Sequence, residues 1–365
     1  SWFAMLFSAG MGIGLMFWAV GEPLMHANVL PPIFSSTNQE ASALATTFFH
    51  WGLHPWGIYA LLGLSLAFFT YNEGLPLSLR SIFYPLLKDR IFGKIGDFID
   101  ILAVLACIFG LATSLGLGVM QMNSGLNYLF GIPETIMTQI FLITIITIMA
   151  TISIVLGIHK GIKVLSKLNI KLAGFFMLAL FIIGPTFFII EIFTNSLGLY
   201  LNQLLQSSFF ISSSENTWQG DWTIFYLSWW ISWSPFVGMF IARMSRGRTV
   251  REFILAVLII PSLLSFMWLS VFGGTALHIN SATDGNLFET VKNNLPVALF
   301  EMIELINFPI LSNIIIVILS VLATLLVMSY FITSSDSGSL VVEKITSGGK
   351  ETSPVKQRIF WALIE

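Results

Sequence analysis

Apolar residues gather in long uncharged runs separated by short polar stretches. Runs of about 20 such residues predict helices that cross a bilayer. Eight stand out, at 2–21, 42–70, 101–126, 136–158, 172–190, 222–242, 253–277 and 308–334, and a ninth begins at Ile359. The stretches between them carry charge unevenly. Arg80, Lys88, Arg90 and Lys94 follow run 2, and Lys160, Lys163, Lys167 and Lys171 follow run 4. Arg243, Arg246, Arg248 and Arg251 follow run 6, and Lys344, Lys350, Lys356 and Arg358 follow run 8. The alternate stretches hold Lys292 alone, so sixteen of the 17 Lys and Arg fall on one side. That positive-inside pattern places the loops after runs 2, 4, 6 and 8 in the cytoplasm of a multi-pass protein of the cell membrane. Two outer stretches, 192–221 and 284–304, set apolar residues at helical spacing among polar ones and predict amphipathic helices along the membrane surface.

Composition agrees with this reading: 56% of residues are apolar and only 10% charged, against about 25% charged in a soluble domain. A net charge of −2 gives no reason to expect a nucleic-acid partner. The single cysteine, Cys107, excludes a disulfide framework or a Cys-based metal site. His50 and His54 are too few, and lack acidic companions, for a metal site. Glu22, Glu73, Asp100 and Asp336 fall near run ends and read as interfacial. No nucleophile–base pair or phosphate loop is visible, so no enzyme and no organic cofactor is expected. The chain opens in an apolar run (SWFAMLF) and stops in another (IFWALIE), and is expected to be an excerpt truncated at both ends.

Two runs contain helix-breaking residues. Run 1 carries GMGIG at Gly10–Gly14, and run 6 carries Pro235. Five runs separate them, so they point in opposite directions. Thr113 and Ser114 in run 3 stand in the same relation to Thr333 and Ser334 in run 8. Interrupted helices at matching places in two inverted halves mark a transporter's midplane site. The expected fold is an all-α polytopic membrane protein with an inverted five-plus-five helix repeat. Residues 1–192 form the first repeat, 193–221 an amphipathic connector on the outer face, and 222–365 an incomplete second repeat.

Around Pro235 the sequence reads SWWISWSP. Trp229 and Trp233 are four apart and Trp230 and Trp233 three apart, so the rings share one side of a helix. Run 2 holds a second cluster, HWGLHPWGIY, with Trp51, Trp56 and Tyr59. Two such clusters on different spans suit a quaternary ammonium ion, which has no N–H to donate but is attracted to ring faces. The alternative for each ring taken singly is a packing residue or belt anchor. No carboxylate stands in the central turns of runs 2 or 6 to capture a protonated amine. GMGIG admits two readings. The glycines let helices approach closely, or they unwind and expose N–H groups to a substrate carboxylate and carbonyls to a cation. Thr333, Ser334 and the carbonyls around Ser8 and Met11 supply hard oxygen ligands for sodium, unless the hydroxyls bond their own helix.

GMGIGLMFW, FHWGLHPWGIYA, SLGLGVMQMNSGL, FYLSWWISWSPFVGMFIARMSRGRTVREF, FGGTAL and FITSSDSGSL together resemble the betaine/carnitine/choline transporter (BCCT) family over essentially the whole chain. The resemblance implies a LeuT-type fold, commonly a homotrimer in lipid, that moves quaternary ammonium compounds. It implies a substrate site at Trp51, Trp56, Tyr59, Trp229, Trp230 and Trp233, with Phe225, Gly12 and Gly14 adjoining. It implies a sodium site at Ser8, Met11, Tyr330, Thr333 and Ser334. A second sodium site of the family uses hydroxyls where this chain has Cys107 and Leu111, leaving Thr113, Ser114 and Phe236 nearby. Sodium-independent members resemble one another in an Arg within the equivalent of run 3 and a Met after the equivalent of Phe236. Here no such Arg occurs and Val237 follows. Choline-type members often carry Asp where Gly14 stands, so Gly14 suggests a zwitterion. The expected function is sodium-coupled symport of glycine betaine or a related osmolyte, with Na+ as coupling ion. The alternative is a sodium-independent or proton-coupled carnitine/choline transporter or exchanger.

Overall fold

The structure is a computed structural model that describes the backbone of residues 2–155, 159–213, 217–306, 312–349 and 354–364. It describes the side chains of residues 12–151, 165–213, 217–306, 313–349, 354–357 and 359–364. Every regular element among them is helical. The longer helices are α1 (Trp2–Asn28), α2 (Gln39–Trp51), α3 (Leu53–Tyr71), α4 (Lys94–Phe130), α5 (Ile136–Val155), α6 (His159–Ile183), α7 (Thr186–Ser208), α8 (Phe225–Met244), α9 (Ile260–Ala282), α10 (Ser312–Thr346) and α11 (Val355–Ile364). Among the described residues six helical stretches are long and apolar enough to cross a membrane: Gln39–Tyr71, Lys94–Phe130, Leu165–Ile183, Gly220–Met244, Val250–Ala282 and Asn313–Thr346. The packing is that of a multi-pass bundle: α1 lies along α9, α3 along α8, and α4 along α10.

The two expected interruptions are absent, and a third stands elsewhere. Backbone from Trp2 to Asn28 is one helix, so GMGIG does not unwind. Pro235 lies inside α8 without breaking it. Proline cannot donate to the carbonyl four residues back, here that of Ile231, and the Ser234 hydroxyl donates to that oxygen instead, at 2.8 Å. Run 2, by contrast, is split at Gly52 (φ −101°, ψ −123°) into α2 and α3. A side chain at 52 would meet the Phe48 carbonyl at 2.6 Å and the Phe266 ring. Pro55 then falls in the first turn of α3, where a missing N–H costs nothing.

The helices also extend beyond the apolar runs. Lys167 and Lys171, read as a loop, are exposed on the first half of α6, while Ser166 and Asn169 on the same stretch are buried. The side chains of Lys160 and Lys163 lie outside the described residues. α6 then turns at Gly184–Pro185 into α7, so run 5 is two helices. The stretch 284–304 is helical as expected, but its apolar face is covered by protein. Leu287, Val291, Leu299 and Phe300 are fully buried, and Leu295 packs where Gly21 leaves α1 without a side chain.

The acidic residues read as interfacial divide. Glu73 is exposed beyond α3, whereas Glu22, Asp100 and Asp336 are buried. Asp100 ties the segment before α4 to that helix, accepting from Ser78 Oγ (2.5 Å), Arg80 Nε (2.6 Å) and Arg80 N (3.1 Å).

Candidate functional site

The split at Gly52 shapes the centre of the molecule. The last carbonyls of a helix have no partner within it, and the His50 carbonyl near the end of α2 accepts from Trp230 Nε1 at 2.9 Å. That bond fastens α8 to the break. Trp229 and Trp230 stack at 4.9 Å and 13°, and Trp51 meets them edge-on at 6.1 and 5.0 Å. Trp229 Nε1 donates to Ser114 Oγ on α4 at 3.1 Å. Phe225 adjoins Trp229 at 5.9 Å. The rings touch one another, so this is a closed aromatic cluster. Its three tryptophans come from both clusters singled out in the sequence.

The other site candidates form two further pairs. Trp56 and Tyr59 meet edge-on at 5.6 Å on α3, and Trp233 meets Phe236 at 5.1 Å on α8. Gly63 and Gly238 bring α3 and α8 into close approach. Trp56 Nε1, Tyr59 OH and Trp233 Nε1 are buried without a hydrogen-bond partner among the described residues. Buried donors of this kind are unusual unless a ligand or water completes them.

Gly12 and Gly14 are placed by the same rings. A side chain at 14 would stand 2.6 Å from Trp51 Cη2 and 3.3 Å from Trp229 Cη2, and one at 12 would run into the Tyr330 ring. Of the two readings of GMGIG, close packing is the one this conformation displays.

Sequence reasoning missed a buried polar group beside the aromatic cluster. Glu22 is buried beside Trp51, and both its oxygens are occupied. Oε2 accepts from Trp51 Nε1 (2.7 Å) and Tyr226 OH (2.6 Å). Oε1 lies 2.7 Å from His50 Nδ1 and 3.3 Å from His26 Nε2. Facing a carboxylate, each of those nitrogens carries a proton. His50 Nε2 lies 3.1 Å from Thr223 Oγ1, which donates to it. His50 therefore does have acidic company, supplied by a different helix. The signal was the spacing Glu22–His26, one helical turn apart and so on one face. His54, the other histidine considered, bonds Ser208 instead, at 3.1 Å.

Of the sodium candidates, Tyr330, Thr333 and Ser334 are buried on α10, while the side chains of Ser8 and Met11 lie outside the described residues. Thr333 Oγ1 donates to its own helix, to Ser329 O (3.0 Å) or Tyr330 O (3.1 Å), and lies 3.4 Å from Asn169 Nδ2. Of the second set, Ser114 and Phe236 are buried, but Thr113 is exposed and donates to Phe109 O at 2.9 Å.

Comparison with known proteins gives these features a context. Residues 1–365 match the profile described as BCCT, betaine/carnitine/choline family transporter. Glycine betaine transporter 1 of Vibrio parahaemolyticus is 50% identical over 370 residues, covering all of this chain and 69% of the relative. A glycine betaine/proline/choline/ectoine transporter of the same organism is 46% identical over 371 residues, covering all of this chain and 64% of the relative. The glycine betaine transporter OpuD of Bacillus subtilis is 43% identical over 370 residues, covering all of this chain and 70% of the relative. These relatives are transporters, not enzymes.

Proposed function

The chain belongs to the betaine/carnitine/choline transporter family, and from that premise we propose that it carries glycine betaine into the cell by sodium symport. The observation that carries the substrate reading is the cluster of Trp51, Trp229 and Trp230, with Trp51 fastened to a carboxylate that has no spare oxygen. A trimethylammonium group gains about 2 kcal/mol from each desolvated ring face it meets. Glu22 is already held by Trp51, Tyr226, His26 and His50, so it does not compete for the cation. Because the rings touch, the substrate enters only when Trp51 parts from the Trp229–Trp230 pair. The break at Gly52, directly after Trp51, is where α2 can swing without bending α3.

The architecture proposed is the LeuT-type inverted repeat, 1–192 against 222–365, in a homotrimer, with the basic stretches on the cytoplasmic side. The sodium site belonging to this reading is made by Thr333 and Ser334 of α10 with the carbonyls around Ser8 and Met11. A charge falling through about 100 mV yields about 2.3 kcal/mol, roughly a 50-fold accumulation per ion. Glycine betaine uptake into proteoliposomes of the full-length protein is expected to collapse when an inward sodium gradient is replaced by potassium. Uptake that persists with potassium sinks the sodium reading.

One observation favours a second reading. The buried Glu22–His26–His50 group is the kind of intramembrane ionisable site that proton-coupled carriers use. Uptake driven by a pH gradient without sodium would select it.

Gly14→Ala tests the packing of the site. Its methyl group displaces Trp51, and misplacement by about 1 Å costs on the order of 100-fold in a positioned site. Uptake is expected to fall by at least about tenfold, with normal membrane insertion. Unchanged uptake would mean that Trp51 is not positioned by α1.

A further inference from the structure

The Glu22 group has a capacity that a hydrogen-bonded anchor does not need. Glu22 Oε1, His26 Nε2 and His50 Nδ1 all lie within 4.8 Å of one another, and all three side chains are buried. Two imidazoles and one carboxylate are the donor set of open zinc sites. Such ligands stand about 2.0–2.2 Å from the ion, hence about 3.3–3.5 Å from each other at a tetrahedral angle. The 3.3 Å between Glu22 and His26 matches that spacing, and the 2.7 Å hydrogen bond to His50 opens by less than about 1 Å to reach it.

Three further features belong to a metal site. Ligands are oriented by outer partners, and these are present: Thr223 Oγ1 at His50 Nε2, and Trp51 and Tyr226 at Glu22 Oε2. The imidazoles can supply lone pairs without losing a proton overall, because each proton shifts to the far nitrogen, where His50 donates it to Thr223. His26 is the least committed member. Its Nε2 contact is the long one, and its buried Nδ1 has no partner among the described residues.

A cavity lies behind the tryptophan rings that pack against His26. Its volume is about 410 Å³, and it is lined by Met25, Trp218, Asp221, Trp222 and Lys292. The Trp222 and Trp218 rings that separate it from His26 lie 4.4 and 5.6 Å from the imidazole. Asp221 and Lys292 both line the cavity, so its charges offset.

We propose that Glu22, His26 and His50 form a binding site for a divalent d-block cation such as Zn2+, whose occupancy slows transport. A bound ion joins α1 to α2 beside Trp51, the ring that must part from α8. The site does not depend on which solute is carried.

The test uses the purified full-length protein, with Co2+ as spectroscopic probe and Zn2+ as competitor. Wild type is expected to bind one ion per chain with visible d–d absorption. Affinity falls by at least about tenfold in His26→Ala and is unchanged in His278→Ala, at an exposed histidine on α9. His26→Cys retains binding and adds a sulfur charge-transfer band, a signature that does not depend on the alanine variant folding. In proteoliposomes, Zn2+ slows uptake by the wild type and spares His26→Ala. No saturable binding, equal affinity in His26→Ala, no sulfur band in His26→Cys, or equal inhibition of both proteins would each overturn the proposal.

Discussion

Trp230→Ala is expected to weaken glycine betaine binding by roughly 30-fold or more, the equivalent of one desolvated cation–π contact of about 2 kcal/mol. The ring is the junction of the cluster. It stacks on Trp229, meets Trp51 edge-on at 5.0 Å, and lies 5.8 Å from Tyr226. Removing it also strands the His50 carbonyl at the end of α2. Trp230→Phe separates these roles, since it keeps an aromatic face but loses the donor. The alanine variant should therefore bind most weakly and the phenylalanine variant lie between it and the wild type. The measurement is the dissociation constant of purified full-length variants, beside KM for uptake. Truncating a buried tryptophan costs about 3–5 kcal/mol of stability, so monodispersity in detergent is checked first. Binding unchanged in a folded Trp230→Ala protein would remove the cluster from the substrate path.

What the sequence could disclose here followed from periodicity. Trp229, Trp230 and Trp233 are within one turn of each other, so a single helix gathers them, and run length alone located the helices that carry them. Features that depend on one side chain compensating another were misread. Pro235 looked like a break because proline usually makes one, but the hydroxyl of Ser234 fills the place of the lost N–H. GMGIG left unwinding and close packing both open, because Gly12 and Gly14 make room for Tyr330 and Trp51, residues far away in the chain. The actual break, at Gly52, was hidden within an apolar run long enough to be one span. The Glu22 group was the least legible. Its partners His50, Trp51 and Tyr226 lie 28, 29 and 204 residues further along, distances that carry no periodic signal.

That group gives the second large effect. Glu22→Ala is expected to abolish measurable uptake and to lower the thermal midpoint of the full-length protein by at least about 5 °C. The carboxylate receives Trp51 Nε1, Tyr226 OH, His50 Nδ1 and His26 Nε2, and through them it joins α1, α2 and α8. Each donor left without an acceptor costs about 1–3 kcal/mol. Breaking such a buried network costs about 3–5 kcal/mol in all. Glu22→Gln discriminates between shape and charge. The amide keeps one acceptor oxygen but turns an N–H2 group toward two of the four donors, so it cannot satisfy both pairs. Its stability should therefore fall between those of the wild type and Glu22→Ala. Tyr226→Phe removes one donor and leaves the carboxylate with the other three, at a cost of about 1 kcal/mol. The expected order of thermal midpoints is wild type, Tyr226→Phe, Glu22→Gln, Glu22→Ala. If Glu22→Gln matched the wild type in both stability and uptake, the negative charge would have no part in holding Trp51. The aromatic cluster would then rest on packing and on the bonds of Trp229 to Ser114 and of Trp230 to the His50 carbonyl. If the charge is required, the same carboxylate that stays out of the substrate's way is what holds one wall of its site in place.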